Sequence, residues 1–129
     1  MHKYLLTLIL TLPAADATAE WQSIGENADE TAYVDADHIQ HGKHRKMWAL
    51  FDLKTPRTLG DKRYLSMKIQ REYSCHGKRS RITTRRAYSG NMAAGDLIYS
   101  NDKHDNWVVI QPDSAEEALL NMACEKKRE

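Results

Sequence analysis

The sequence predicts an α+β domain: a small, mostly antiparallel β-sheet of about six strands with one C-terminal helix packed on it and joined to it by a disulfide. Three observations carry that reading. Residues 64–75 alternate apolar and polar side chains with the period of a strand, whereas residues 114–124 open with a capping sequence and continue at helical spacing. The chain's two cysteines, Cys75 and Cys124, stand at the ends of these two segments.

Taken in order, residues 21–24 and the β-former-rich 31–34 are expected as short strands. His41, Gly42 and Lys43 make a turn, after which residues 45–53 suit a strand buried on both faces. Residues 56–61, with Pro56, Thr58 and Gly60, are expected as a loop. In 64–75, Leu65, Met67, Ile69, Tyr73 and Cys75 fall on one face and Ser66, Lys68, Gln70, Glu72 and Ser74 on the other. Arg71 falls on the apolar side and must lie near an edge or meet a carboxylate, because a lone buried charge is costly.

A two-residue turn at His76-Gly77 then folds residues 78–89 back as a hairpin. Its register sets Glu72 opposite Arg81, Gln70 opposite Thr83 and Lys68 opposite Arg85. Residues 95–100 read as a strand, 101–106 as a polar turn and 107–110 as the last strand. Ser114 and Glu117 have the form of a capping box, and Ala115, Ala118, Leu119 and Met122 recur as one apolar helix face. Cys124 falls in the last turn, followed by Lys126, Lys127 and Arg128, which suit a helix C-terminus.

The first residues pair His2 and Lys3 with an apolar run over 4–12, then Pro13 and the small residues Ala17-Thr18-Ala19. That pattern is a secretory signal peptide over 1–19, cleaved before Glu20, leaving a domain over 20–129. The run is too short for a spanning helix, so no transmembrane segment is expected in the mature chain. Export places the two cysteines where thiols oxidise, so a Cys75–Cys124 bridge is expected. Closing a loop of about 50 residues would stabilise the fold by roughly 4 kcal/mol in the chain-entropy model. A formal net charge of +1 argues against a dedicated nucleic-acid binder.

Lys78, Arg79, Arg81, Arg85 and Arg86 form a basic cluster, in which Arg79, Arg81 and Arg85 are expected on one strand face with Lys68 beside them. Such a stripe suits acidic glycoproteins, heparin-like chains or phosphate groups, since Arg offers bidentate contacts; its bland counterpart is a solvated hairpin face. His38, His41 and His44 recur at every third position beside Asp35 and Asp37, a weak zinc-ligand pattern set against a loop of solvated histidines. Trp48, Trp107, Trp21, Tyr64 and Tyr73 suit either a groove or a core, and core is expected for Trp48 and Trp107. No nucleophile-and-base set, paired carboxylates or phosphate-cradling loop is recognisable, and residues 89–95 lack both the P-loop ending and the nucleophile-elbow serine. No cofactor and no catalysis are expected.

Trp21, Ile24 and Gly25, Tyr33-Val34-Asp35, Trp48, Leu50 and Asp52 recur in an order that continues through Ser66, Lys68, Glu72-Tyr73 and Cys75. Tyr88-Ser89, Met92, Gly95, Trp107, Ile110, Pro112, Ser114, Leu119 and Cys124 complete it. In this order the chain resembles the surface-adhesin protein E family. The resemblance implies a small antiparallel sheet with a C-terminal helix on or near a bacterial surface, binding a protein or glycan such as a host matrix glycoprotein. No cysteine follows the apolar run, so the lipid attachment of the family's namesake is not expected here. The competing reading is a soluble periplasmic accessory protein without adhesive function.

Overall fold

The structure, a computed structural model, describes residues 19–125. The expected leader over 1–19, Ala19 apart, and the basic residues Lys126, Lys127 and Arg128 lie outside the described residues. The strands are β1 (Gln22–Glu26), β2 (Glu30–Val34), β3 (Gln40–His41), β4 (Arg45–Leu59), β5 (Lys62–Ser74), β6 (Arg79–Tyr88), β7 (Leu97–Asn101) and β8 (Val108–Val109). A 3-10 turn, Asn91–Ala93, precedes β7, and helix α1 spans Ala115–Glu125. The described strands form one sheet in the order β1-β2-β4-β5-β6-β7, with β3 beside β4 and β8 beside β6. Every pairing is antiparallel. Eight strands are described rather than about six: β3 is a two-residue piece that the sequence does not suggest, and the expected last strand over 107–110 shortens to the two residues of β8.

The expected loop at 56–61 is a correction: β4 runs on to Leu59, and its pairing with β5 resumes at Arg57 and ends with Leu59 opposite Lys62. The ladder is broken between Asp52 and Arg57, so Pro56, which has no N–H to donate, lies where none is required. Gly60, at φ 66, makes the two-residue turn to β5.

The turn from β5 to β6 takes the four residues 75–78 rather than two, with Gly77 N–H donating to Ser74 Oγ at 3.2 Å and Lys78 at φ 50. The register is nonetheless as expected at its start, with Glu72 opposite Arg81. It then slips. Arg71 pairs with Ile82, but Gln70 pairs with Thr84 and Lys68 with Arg86, so the expected Gln70–Thr83 and Lys68–Arg85 pairs do not form. Thr83 is the extra residue of a β-bulge. It is buried, and its hydroxyl donates to Gln70, to the backbone oxygen at 3.2 Å and to Oε1 at 3.1 Å.

Met47, Ala49 and Tyr73 lie on one face of the sheet and join Val34, Ala36 and Ile110 around Leu120 and Ala123 of α1. The Cys75–Cys124 disulfide is formed and pins the helix to the end of β5. The helix is capped as expected by Ser114 Oγ, which accepts from Glu117 N–H at 3.1 Å, while Glu117 Oε1 accepts from Asp113 N–H at 3.2 Å. Ala115 and Ala118 are exposed, a correction to the expected apolar face. With Cys124 tied to the sheet, the side that turns inward is centred on Leu120 and Ala123, flanked by Leu119 and Met122. At the other end of α1, Arg45 donates to the Ala123 carbonyl at 3.2 Å, satisfying one of the helix's terminal acceptors.

β4 is sealed on the helix side only. On its other side Leu50 is buried while Lys46, Trp48 and Asp52 are half-covered, so burial on both faces is not realised. Arg71 is half-buried and borders a cleft of about 340 Å³ that Asp105 and Glu116 also line; Asp105 is bonded to Arg85, which lowers its pKa, and the Arg71 charge adds a smaller pull in the same direction.

Candidate functional site

The sheet face turned away from α1 is formed by alternate residues in register. β4 contributes Trp48, Leu50 and Asp52, β5 contributes Ser66, Lys68, Gln70 and Glu72, and β6 contributes Arg79, Arg81, Thr84, Arg86 and Tyr88. The chain folds over one end of this face in the 3-10 turn. Asp52 Oδ1 accepts from Asn91 Nδ2 at 3.1 Å and from Met92 N–H at 2.7 Å, and Ser66 Oγ accepts from Ala93 N–H at 2.9 Å and donates to Gly90 O at 2.6 Å. These bonds hold Met92 and Ala93 at positive φ (55 and 59), a conformation that costs energy for residues with a Cβ. The segment 89–95, which carries no catalytic signature, is thus a clamp on the end of the sheet.

Trp107 closes the opposite end. His44 packs edge-on against it with ring centroids 5.0 Å apart, and the Arg81 guanidinium lies 4.6 Å from its centre. Arg81 also binds the Glu72 carboxylate at 2.7 Å, so its charge is compensated. Between the two ends sits Trp48. Lys68 Nζ lies 4.7 Å and the Arg86 guanidinium 5.3 Å from its ring centre. Each such cation–aromatic contact is worth about 0.5–1 kcal/mol when exposed. Lys68 and Arg86 are direct cross-strand partners. Burial of the Lys68 amine and the nearby Arg86 charge lower its pKa, against a smaller opposing pull from Asp35.

Asp35 is buried beside this centre, its N–H donating to the Trp48 carbonyl at 3.0 Å and its Oδ1 bonded to His38 Nδ1 at 2.8 Å. The bond to Asp35 raises the His38 pKa, with Coulombic attraction to the same carboxylate adding to it.

The expected basic stripe is therefore rearranged. Arg79 and Arg81 share a face with Lys68, but the bulge at Thr83 turns Arg85 to the helix side, opposite Ile69, and brings Arg86 to Lys68. Arg85 there pairs bidentately with Asp105, one bond being 3.1 Å, which raises the Arg85 pKa and lowers that of Asp105. Lys78 is exposed at the hairpin turn, and Arg79 borders a shallow hollow with His44, Ser74, Gly77 and Trp107. Trp48 and Trp107 are half-covered by cations and lie outside the buried cluster, correcting their expected place in the core, whereas Tyr73 is in that cluster. His38, His41 and His44 are not gathered. His38 bonds Asp35, His41 pairs with Arg45 in the β3–β4 ladder and His44 packs on Trp107; among the described residues no three His, Cys, Asp or Glu come together as a metal site.

The chain matches the model of the surface-adhesin protein E family over residues 21–125. Crystal form II of Haemophilus influenzae protein E superposes with a TM-score of 0.66 at 13% identity, covering 88% of this chain and 94% of that one. A second structure of that protein gives 0.64 at 13%, covering 88% and 90%. Protein E from non-typeable Haemophilus influenzae gives 0.64 at 13%, covering 85% and 78%. At this identity the likeness is one of fold. No curated protein matches the chain in sequence.

Proposed function

The chain belongs to the surface-adhesin protein E family, and from that premise we propose that it is a non-enzymatic binding module, exported by a leader over residues 1–19 and holding a protein or glycan outside the cytoplasm. The face bearing Trp48, Lys68, Arg79, Arg81 and Arg86 is the part that engages the ligand. The observation that carries this is the Lys68–Trp48–Arg86 stack. Neither cation is in ion-pair contact with a carboxylate among the described residues, while Arg81, Arg85, Lys54 and Arg57 each are. Cations held on an aromatic ring but not neutralised leave favourable charge interactions for a partner to complete.

The test is binding of the mature chain to immobilised matrix glycoprotein, with wild type set against a variant carrying Lys68→Glu, Arg79→Glu and Arg86→Glu. Binding should fall on the order of a hundredfold, and unchanged binding discards this face. Cell fractionation with surface proteolysis checks the setting, since a protein found only in the periplasm would remove the adhesive role.

A further inference from the structure

Like charges opposite each other on neighbouring strands repel. Lys68 and Arg86 are such a pair, and Trp48, which takes both on its ring, makes the arrangement tolerable without neutralising it. Asp35 is the nearby carboxylate, and it is already bonded to His38. Two cations against one carboxylate, itself shared with His38, leave net positive charge at the centre of the face.

From this balance we infer that Lys68 and Arg86 form the seat for a sulfate ester of a linear glycan, with Arg79 as a second contact further along the same face. The inference rests on this face being the one that binds ligand. Three features select a sulfate ester. A planar carboxylate fills the guanidinium fork alone, whereas a tetrahedral ester takes the fork on two oxygens and has a third for the Lys68 ammonium arriving from the adjacent strand. A phosphate monoester would bring close to two negative charges toward the buried Asp35 carboxylate, which repels them, while a sulfate monoester brings one. The seat is also half-covered, so an anion that sheds water at low cost is favoured.

The geometry extends this from a single ion to a chain. From Lys68 to Ser74, the partner of Arg79, the strand runs six residues, about 20 Å. Between them lie uncharged Gln70 and Thr84, then Glu72 closed off by Arg81. A charged station, a neutral floor and a second charged station suit a polymer with spaced sulfates. Arg81 and Arg85, each already bonded to a carboxylate, are not among the sulfate stations.

Calorimetric titration of the mature protein with a heparin-derived oligosaccharide and its desulfated counterpart tests this, using wild type, Lys68→Gln with Arg86→Gln, Lys68→Arg, and Arg85→Gln. Sulfated oligosaccharide should bind wild type with an affinity that drops steeply as salt rises. The double variant should bind on the order of tenfold or more weakly, Lys68→Arg should stay within about threefold of wild type, and Arg85→Gln should match it. Salt-insensitive binding, equal binding of the desulfated chain, an unaffected double variant, or tighter binding to vesicles bearing phosphate monoesters would each overturn the inference. If wild type ignores the glycan yet holds matrix glycoprotein through Lys68, Arg79 and Arg86, the sulfate seat fails and the binding face stands. If those residues affect neither ligand, both fail.

Discussion

The two faces of β4 and β5 draw on alternate residues of the same strands and end up in different physical states. On the helix side Met47 and Tyr73 are each 2% exposed, packed under Leu120 and Ala123, and tied by the Cys75–Cys124 bridge. On the other side helix α1 does not cover the strands, and Trp48 is half-covered, with the charged groups of Lys68 and Arg86 over its ring. Stability is concentrated on the first face and uncompensated charge on the second. Substitutions should therefore separate folding from binding according to strand parity.

The largest separation should come from the disulfide. Replacing Cys75 and Cys124 with alanine should cost roughly 4 kcal/mol of stability in denaturant titration. A loss below about 1 kcal/mol would mean that packing alone holds the helix. Next, Met47→Ala should cost about 3 kcal/mol, and its neighbour Trp48→Ala only about 1–2 kcal/mol while weakening ligand binding. Equal costs at the two positions would erase the distinction between the faces.

Tyr73 sharpens the comparison from the alkaline side. Burial pushes its pKa up to about 12, whereas an unfolded tyrosine ionises near 10. Between those values the native state holds the proton that the unfolded state gives up. Stability should thus fall with rising pH, by at most about 1.4 kcal/mol per pH unit. Tyr73→Phe should flatten that fall in melts between about pH 9 and about pH 11; an unchanged slope would place the proton elsewhere.

The smallest effect belongs to His38, which is exposed beside the open face. Its raised pKa means that its bond to Asp35 stabilises the native state below the ordinary histidine value and loses that contribution as pH rises through the folded value. His38→Ala should narrow the difference in Tm between about pH 5.5 and about pH 8. An unaltered difference would show the pair to be energetically silent.

Much of this was readable along the chain. The alternation of 64–75, the Ser114 cap, the helix with Cys124 in its last turn and the bridge to Cys75 are local or covalent patterns, each carried by a few neighbouring residues or by the cysteine count. The start of the hairpin register was readable too, because it follows from the turn. The strand after Pro56 was hidden because proline and glycine mark a break without saying how short it is.

The binding face was only half readable. Alternation places Lys68 opposite the apolar side, but a period of two continued through β6 brings Arg85 to it, and the chain brings Arg86 instead. That exchange depends on the buried Thr83 hydroxyl bonding Gln70 across the hairpin, a contact between residues thirteen apart that no local pattern announces. The same holds for Trp48: a tryptophan in an apolar run is core or surface according to which face the helix covers. Short-range periodicity and covalent chemistry thus set the elements and their order from the sequence. Only the packed structure decided where the ladder slips and which face stays open, because both depend on free-energy differences between contacts that form once distant segments meet.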